Sequence, residues 1–352
     1  MTPQFFVTTT ALLVLAVIAL SYWQDSRVRR AAPPAGRFVP TREGRIHLIT
    51  REARETDPKA QKLPIVLLHG SFANGLDMDL DLGPALAADR KVIIPDRPGH
   101  GFSDRPEDGF RMDVQVAALR EAVRTTGAER YVVMGQSYGA ATSLVWAMAY
   151  PEDVAGIVLV APVSHPWPYG VRWYVRVANN PRYGWLFRRT FIALYARYGL
   201  RRGVARALRG CRAAPTYFER TRTALGFRAG EFLYNAQDIC RLYEQLVPLA
   251  ARYSQLNVPA EVVAGTHDLT VLLPIHGRKL AEDLPKGNLD AVEGGGHALH
   301  HSHPERCLDA VARVDARLEI EARSPLESAF KAITAVFPQR IAPKQNAEQD
   351  PT

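Results

Sequence analysis

The chain has 352 residues, which is enough for one large catalytic domain with an insertion or for two small domains. Its 47% hydrophobic and 23% charged residues are typical of a globular protein, and its three widely spaced cysteines fit no disulfide or zinc pattern. The net charge of +8 is uneven, because fourteen arginines and one acidic residue between Ser164 and Arg228 sum to +13 and the rest of the chain to −5.

The first predicted element is an apolar segment near the N-terminus. Residues 5–23 run for 19 positions without a charged side chain, and a helix of that length covers about 28 Å, close to the thickness of a bilayer's hydrocarbon core. A buried core helix and a cleaved signal peptide are the alternatives, but the preceding MTPQ lacks the basic residues of a signal peptide. We therefore expect residues 1–36 to form a retained single-pass membrane anchor and a linker.

Arginines directly after the apolar segment predict its orientation. They are Arg27, Arg29, Arg30 and Arg37. Because basic residues that flank a membrane helix stay on the cytoplasmic side, we expect the catalytic part of the protein there.

The next predicted elements are strands. RFVPTREGRIHLIT, with a turn at Glu43-Gly44, indicates an antiparallel hairpin. Continuous apolar runs, which are typical of parallel strands covered on both faces, follow at residues 64–70, 91–96, 131–135, 156–162 and 260–265. Helical spacing at residues 114–123 and 140–149 separates some of these runs. The alternation predicts an α/β fold with a doubly wound, mostly parallel sheet.

The alternation stops at Ser164 and resumes at Val258. The intervening sequence has helical spacing, and the sheet needs strands from both sides of it. We therefore predict a helical lid, residues 164–250, inserted into one core domain made of residues 37–163 and 251–324. Residues 325–352 end in a polar sequence and are predicted to be a frayed C-terminal tail.

Arginines and aromatic residues recur together in the predicted lid. One interpretation is a solvated basic face over an aromatic core. Another is a lid that faces a membrane, in which the arginines meet anionic lipid head groups and the Trp and Tyr rings lie at the interface. Nucleic-acid binding would use the same charges, but no recognised motif is present, so no nucleic-acid partner is predicted.

The central motif is Gly135-Gln136-Ser137-Tyr138-Gly139, which follows the strand YVVM and opens a predicted helix. A serine on a sharp strand-to-helix turn is held clear of the surface above the positive end of the helix, which suits a nucleophile. Gly135 and Gly139 remove side chains that would collide across the turn. The motif indicates Ser137 as the nucleophile, whereas a serine in an ordinary glycine-containing loop is the alternative.

Residues 64–163 and 258–304 resemble the α/β-hydrolase family. The matching segments occur in the family's order: LLHGSFANG, DRPGHGFSD, GQSYG, AGTHD and EGGGHALHHSHP. The resemblance covers most of the chain outside the anchor, the lid and the tail. It implies the α/β-hydrolase fold and a catalytic triad in the order serine, acid, histidine.

The resemblance assigns the other two members of the triad. Asp268 follows the strand AEVVAG, where the family places its acid, and residues 161–170, the position used by some relatives, contain no carboxylate. Such an aspartate accepts the Nδ1 proton of the histidine and stabilises the imidazolium. Four histidines follow the glycine run at residues 294–296, namely His297, His300, His301 and His303. The resemblance selects His297, which comes directly after the glycines, as the general base.

Two groups of residues are similar to metal sites but incomplete in sequence. The four histidines have no acidic or cysteine ligand with suitable spacing nearby. Asp77, Asp79 and Asp81 match the start of a calcium loop, but Leu82 and Ala88 replace the required Gly and Glu. We interpret the three aspartates as an acidic loop that caps the following helix, and we predict neither a metal nor a cofactor.

The resemblance also implies an oxyanion hole made of two backbone N–H groups. One belongs to Tyr138, the residue after the nucleophile. The other, after His69-Gly70, is that of Ser71, with Phe72 as the second candidate. His69 itself is expected to be structural.

The residue type of the nucleophile indicates the reaction. Relatives that open epoxides or remove halides use an aspartate at the position of Ser137, because their intermediate is an alkyl ester, whereas serine indicates acyl transfer. We therefore predict a carboxylic-ester hydrolase acting through an acyl-enzyme on a small-molecule ester or a membrane lipid. The alternatives are an amide, a thioester or a carbon–carbon bond cleaved by the same triad, and a non-catalytic hydrolase fold that only binds a ligand or a protein.

Overall fold

The computed structural model describes residues 2–208 and 216–336, with only the backbone for residues 206, 207 and 324–336. Its strands form one sheet: β1 Arg37–Thr41, β2 Gly44–Arg51, β3 Ile65–Leu68, β4 Val92–Pro95, β5 Tyr131–Gln136, β6 Val154–Val160, β7 Ala260–Gly265 and β8 Gly287–Val292. Their spatial order is β1-β2-β4-β3-β5-β6-β7-β8. β2 is antiparallel to β1 and β4, and β3 to β8 are parallel to one another. The predicted hairpin and the mostly parallel sheet are confirmed.

Helices make up most of the remaining described residues. They are α1 Pro3–Ala31, α2 Gly75–Asp79, α3 Gly83–Leu86, α4 Met112–Arg124, α5 Tyr138–Ala149, α6 Trp173–Ala178, α7 Gly184–Phe187, α8 Ala193–Tyr198, α9 Leu200–Ala207, α10 Tyr217–Arg220, α11 Ala229–Ala250, α12 Lys279–Asp283, α13 Leu299–Ser302 and α14 Pro304–Val336. A π-helical turn at Arg188–Ile192 joins α7 to α8. The residues of the predicted tail as far as Val336 belong to α14, and residues 337–352 lie outside the described part.

Packing on both faces of the sheet explains its continuous apolar strands. In β3, Val66 and Leu68 belong to a core shared with Leu144 of α5. The alternate residues Ile65 and Leu67 belong to the core on the opposite face, together with residues of α14. All four side chains of β3 are completely buried, because successive side chains of a strand point to opposite faces and helices cover both.

The helices between β6 and β7 have an apolar core of their own. This core contains Val175 of α6, Ile192 of the π-helical turn and Phe232 of α11. Phe72, in the loop after β3, packs against it. This contact places the helices of the lid, residues 164–250, beside the loop that follows β3.

The predicted apolar segment lies within α1, which is 29 residues long. The most apolar stretch of this helix has a mean hydropathy of 2.2 and is 6% buried, so the helix is long and apolar enough to cross a membrane. Its later turns contact the lid. Arg189 donates to the Asp25 carboxylate at 2.8 Å and to the Ser21 hydroxyl at 3.2 Å, and its guanidinium lies 3.8 Å from the centre of the Tyr22 ring.

Candidate active site

Ser137 lies on the sharp turn between β5 and α5. Its backbone angles, φ +55° and ψ −114°, are a combination that residues other than glycine rarely adopt. The turn brings backbone segments close together at the two flanking glycines. A Cβ added at Gly139 would overlap the carbonyl of Leu68, and a Cβ added at Gly135 would overlap the carbonyl of Gly139. The predicted need for both glycines is therefore confirmed. Ser137 is half-buried, at the N-terminus of the 12-residue α5.

The structure brings the three predicted side chains of the triad together at the carboxyl edge of the sheet. Nε2 of His297 lies 3.1 Å from Oγ of Ser137, and its Nδ1 lies 2.7 Å from Oδ2 of Asp268. The other carboxylate oxygen of Asp268 accepts the backbone N–H groups of Thr270 at 2.7 Å and Val271 at 3.0 Å. Asp268 is 3% exposed, so its orientation is fixed from both sides.

The two predicted oxyanion donors lie next to Ser137. Ser71 and Tyr138 both line the cavity that contains the serine, and a Cβ added at Gly70 would lie 3.3 Å from that of Ser137. Within residues 2–208 and 216–336, the backbone N–H groups of Ser71 and Tyr138 have no hydrogen-bond acceptor. The N–H of the second candidate, Phe72, already has an acceptor, because it donates to Oδ1 of Asn235 in α11 at 2.6 Å.

The cavity above Ser137 has a volume of about 540 Å³. Core loops form one side, and lid residues, including Tyr174, Tyr195 and Ile239, form the other. Most of its lid-side residues are aromatic or aliphatic, which suits an apolar ligand group.

A buried ionic network connects the core to the lid beside this cavity. Asp238 of α11 accepts from Arg97 at 3.0 Å and from Arg105 at 2.8 Å, and it lies 3.0 Å from Nε2 of His100. Burial alone would raise the pKa of Asp238, but the hydrogen bond with His100 and the two arginines lower it to about 2. The DRPGHG segment, residues 96–101, therefore holds a lid helix.

His69 is enclosed by backbone groups. Its Nε2 accepts the N–H of Arg97 at 2.9 Å, and its Nδ1 lies 2.9 Å from the carbonyl oxygen of Gly70. Burial, together with the nearby charge of Arg97, lowers the pKa of His69 to about 3. A neutral imidazole that is bonded on both sides fits the expected structural role.

Two of the remaining histidines belong to a second polar group in the cavity wall. Nε2 of His300 lies 3.0 Å from Oδ2 of Asp77, and Nε2 of His301 lies 3.1 Å from Oδ1. We call these three residues the Asp77 cluster. Nδ1 of His301 is 2.6 Å from the carboxylate of Asp81. Although burial opposes the effect, hydrogen bonds to Asp77 and Asp81 raise the pKa of His301 to about 9.

This cluster corrects two interpretations made from the sequence. The histidines do have acidic neighbours, which come from a segment 220 or more positions away along the chain. The three aspartates also do not cap the helix that follows them: the N-cap of α3 is Leu82, with no side-chain hydrogen bond, while Asp77 and Asp79 lie inside α2. Asp79 instead pairs with Arg51 at 2.5 Å. Spacing along the sequence could not reveal these contacts.

Comparisons with known proteins agree with this architecture. A family model described as alpha/beta hydrolase fold matches residues 64–304. An uncharacterized protein of Mycobacterium tuberculosis is 25% identical over 270 residues, which cover 71% of this chain and 74% of that protein. Haloalkane dehalogenase 2 of the same organism is 30% identical over 166 residues, 46% of this chain and 54% of the dehalogenase. A thermophilic esterase from Thermogutta terrifontis has a similar fold, with a TM-score of 0.62 and 19% identity over 80% of this chain and 99% of that one.

Proposed function

Because this chain belongs to the α/β-hydrolase family, we propose that it is a serine hydrolase that cleaves carboxylic esters through an acyl-enzyme. One observation carries the proposal: the continuous chain of contacts from Oγ of Ser137 through the imidazole of His297 to Asp268, at 3.1 and 2.7 Å. A serine is a weak nucleophile unless a base accepts its proton, and a histidine oriented by a carboxylate does so.

The proposed reaction has two half-reactions. In the first, Oγ of Ser137 attacks the ester carbonyl while Nε2 of His297 takes the hydroxyl proton, and the N–H groups of Ser71 and Tyr138 bind the oxyanion. Collapse of the tetrahedral intermediate releases the alcohol, which receives that proton. In the second, His297 takes a proton from water, the resulting nucleophile attacks the acyl-enzyme, and the acid leaves with Ser137 restored.

The identity of residue 137 supports acyl transfer over the reactions of some relatives. The dehalogenase and epoxide hydrolase branches of the family use an aspartate nucleophile, whereas this chain has a serine. The same triad can cleave an amide, a thioester or a carbon–carbon bond, because the leaving group is selected by the lid and not by the serine. Rates on p-nitrophenyl esters of increasing acyl length, compared with matched thioesters and anilides, test the preference for esters.

Labelling of the purified full-length chain with a fluorophosphonate tests the nucleophile itself. We expect stoichiometric labelling of the wild type and none of Ser137→Ala. Ser302→Ala is the matched control, because its hydroxyl donates to the carbonyl of Ala298 and contacts Nδ1 of His303, both outside the triad. A wild-type chain that is folded but does not react would favour a ligand-binding protein over an enzyme.

The membrane anchor is a further part of the proposal. α1 supports it by its length and apolar surface, and the arginines that follow residue 23 support a cytoplasmic position of the catalytic part. Protease protection in sealed vesicles of known orientation tests this topology. We expect the protease to digest the catalytic part only when the cytoplasmic face of the membrane is on the outside of the vesicle.

Lipid-like substrates are supported by the surface of the lid. Large aromatic side chains are exposed there, namely Tyr169, Trp173, Tyr183, Trp185, Phe191 and Tyr198. Exposed Trp and Tyr rings with neighbouring arginines are typical of a protein face at a membrane interface. The lid contacts α1 at Ser21, near the end of the apolar segment, and at Asp25, just after it. We therefore propose that the lid faces the bilayer and that acyl chains enter the cavity from the bilayer.

A truncation that keeps the contact between lid and helix tests this route. Removal of residues 1–18 deletes most of the apolar segment but leaves Ser21, Tyr22 and Asp25 in place. We expect a much larger loss of activity on esters in lipid vesicles than on a soluble short-chain ester. Equal losses on the two substrates would contradict entry from the membrane.

A further inference from the structure

The Asp77 cluster has the geometry of a metal site. Each of its three residues contributes one atom able to bind a metal, and these atoms all lie within 4.8 Å of one another. Asp77, His300 and His301 are at most 5% exposed, yet all three line the cavity that contains Ser137. Their donor atoms are therefore held in place and can be reached through the cavity.

The donor set selects the type of ion. Two imidazole nitrogens and one carboxylate oxygen are a common ligand set of zinc sites that keep one position open. Mg²⁺ and Ca²⁺ prefer oxygen ligands, so two nitrogens disfavour them. Tyr217 of α10 donates to Oδ1 of Asp77 at 2.5 Å, and a ligating carboxylate is commonly held by such a hydrogen bond.

His301 supplies an independent observation. Its two ring nitrogens each contact a carboxylate, Asp81 at 2.6 Å and Asp77 at 3.1 Å. A neutral imidazole has only one N–H and cannot donate to both. A proton on each nitrogen satisfies this arrangement, and so does a metal ion at Nε2 with the N–H on Nδ1. A carboxylate behind the second nitrogen is the usual partner of a histidine that binds zinc.

We propose that the Asp77 cluster binds one Zn²⁺ ion through Nε2 of His300, Nε2 of His301 and a carboxylate oxygen of Asp77. The fourth position is left for water or an oxygen of the substrate. α13, which carries both histidines, begins two residues after His297, and α2, which carries Asp77, begins four residues after Ser71. The ion would thus connect the segment of the general base to the segment of the oxyanion hole and position His297.

Metal binding by the full-length chain in detergent tests the proposal without reference to activity. The protein is stripped with a chelator and equilibrated with Zn²⁺ at micromolar concentration, and bound metal is measured by mass spectrometry. We expect one Zn²⁺ per chain and no comparable uptake of Mg²⁺ or Ca²⁺. Co²⁺ in place of Zn²⁺ should give the visible absorption of a four-coordinate site, and Zn²⁺ should raise the thermal unfolding temperature.

His300→Gln and His303→Gln form a matched pair. His303 lies in the same segment, but its Nδ1 contacts the hydroxyl of Ser302 and not the Asp77 cluster. We expect at least 100-fold weaker Zn²⁺ binding in His300→Gln and wild-type binding in His303→Gln. No uptake by the wild type, or equal affinity in His300→Gln and the wild type, would overturn the proposal.

Asp81→Asn provides a second test if His300→Gln does not fold. The Asp81 side chain is 38% exposed, so its replacement should be tolerated by the fold. Loss of a carboxylate that orients a zinc-bound histidine weakens binding by about 10- to 100-fold, and we expect that decrease here. Unchanged Zn²⁺ affinity in Asp81→Asn would contradict a zinc-bound His301 that Asp81 orients.

Discussion

The core and the lid form opposite sides of one cavity but are held in place by different means. On the core side, backbone groups fix the reactive residues: Ser137 occupies a turn that its flanking glycines permit, and Asp268 accepts two backbone N–H groups. On the lid side, side chains make the connections: Asp238 pairs with the core and Arg189 with α1, and leucines of α11 pack into the main core.

This difference indicates that the core carries out the reaction and that the lid selects the substrate. Backbone contacts leave little freedom, which suits residues whose mutual distances decide the rate of a reaction. Side-chain contacts can be exchanged by mutation without disturbing the sheet, which suits the part that selects the substrate. Changes on the core side should therefore affect chemistry, and changes on the lid side should affect stability and access to the site.

The largest effect is expected from Asp268→Asn. Asparagine keeps the shape of the side chain but cannot stabilise an imidazolium, and it favours the wrong tautomer of His297. We expect kcat to fall by about 10⁴-fold with little change in the unfolding temperature. Asp283→Asn is the control, because it removes the carboxylate of another aspartate–histidine pair, with His165 at 2.9 Å, outside the triad. A loss of less than about tenfold in Asp268→Asn would show that Asp268 does not orient the base.

Asp238→Asn should break the connection between core and lid. The change leaves the guanidinium groups of Arg97 and Arg105 buried without their carboxylate, and Arg97 is completely buried. Removal of one partner from such a pair costs about 3–5 kcal/mol of unfolding free energy. Denaturant unfolding of the full-length chain measures this change.

Glu244→Gln provides the matched control for that experiment. Glu244 is on the same helix, and its pair with Arg241 at 3.2 Å is exposed on both sides, so we expect a change below about 0.5 kcal/mol. If the two variants lost equal stability, the buried network would not be what holds α11 on the core.

The sequence predicts the core side of the comparison well because its signals are local. The motif around Ser137 fixes a turn within five residues, and the apolar runs identify strands whose carboxyl ends must share an edge. Asp268 follows such a strand, β7, and in the structure His297 follows the neighbouring parallel strand β8, so the order of elements brings them together. The resemblance to a family adds which of four histidines is used.

The contacts of the lid, and those of the Asp77 cluster in the core, could not be predicted in the same way. Arg97 and Asp238 are 141 positions apart, and Asp77 and His301 are 224 apart. Helical spacing identifies which face of a segment is apolar, but it carries no information on which distant polar side chains meet. The contact of Arg189 with α1 likewise depends on how two helices pack.

Acid should lower the stability of the folded protein through buried histidines of the core such as His100, which contacts Asp238 of the lid. Burial and the charge of Arg97 lower the pKa of His100 to about 4, against 6.5 when the chain is unfolded. Between these values the unfolded chain binds a proton that the folded chain does not, so stability is complete above pH 6.5 and falls as the pH decreases toward 4. Each such histidine contributes a slope of about 1.4 kcal/mol per pH unit.

The contribution of His100 can be separated from that of the other titrating groups. His100→Gln should reduce the pH dependence of the unfolding free energy near pH 5 by about one proton, measured by denaturant titrations of the full-length chain at several pH values. His267→Gln is the control, because His267 is exposed and its change should leave the slope as in the wild type. An unaltered slope in His100→Gln would mean that the buried imidazole is already protonated in the folded protein.

The smallest effect is expected where the lid meets α1. Arg189 is 14% exposed and Asp25 27% exposed in their side chains, so their pair is partly screened by solvent, and its coupling should be about 1 kcal/mol. A double-mutant cycle of Arg189→Ala and Asp25→Asn, followed by unfolding of the full-length chain in detergent, isolates that coupling from the stacking of Arg189 on Tyr22. Arg197→Ala, which removes an arginine of α8 that hydrogen-bonds only its neighbour Tyr198 at 3.1 Å among the described residues, should have almost no effect. Strict additivity in the cycle would mean that the Arg189–Asp25 pair does not hold the lid against α1, whereas a measurable coupling would mean that this pair contributes to the position of the lid.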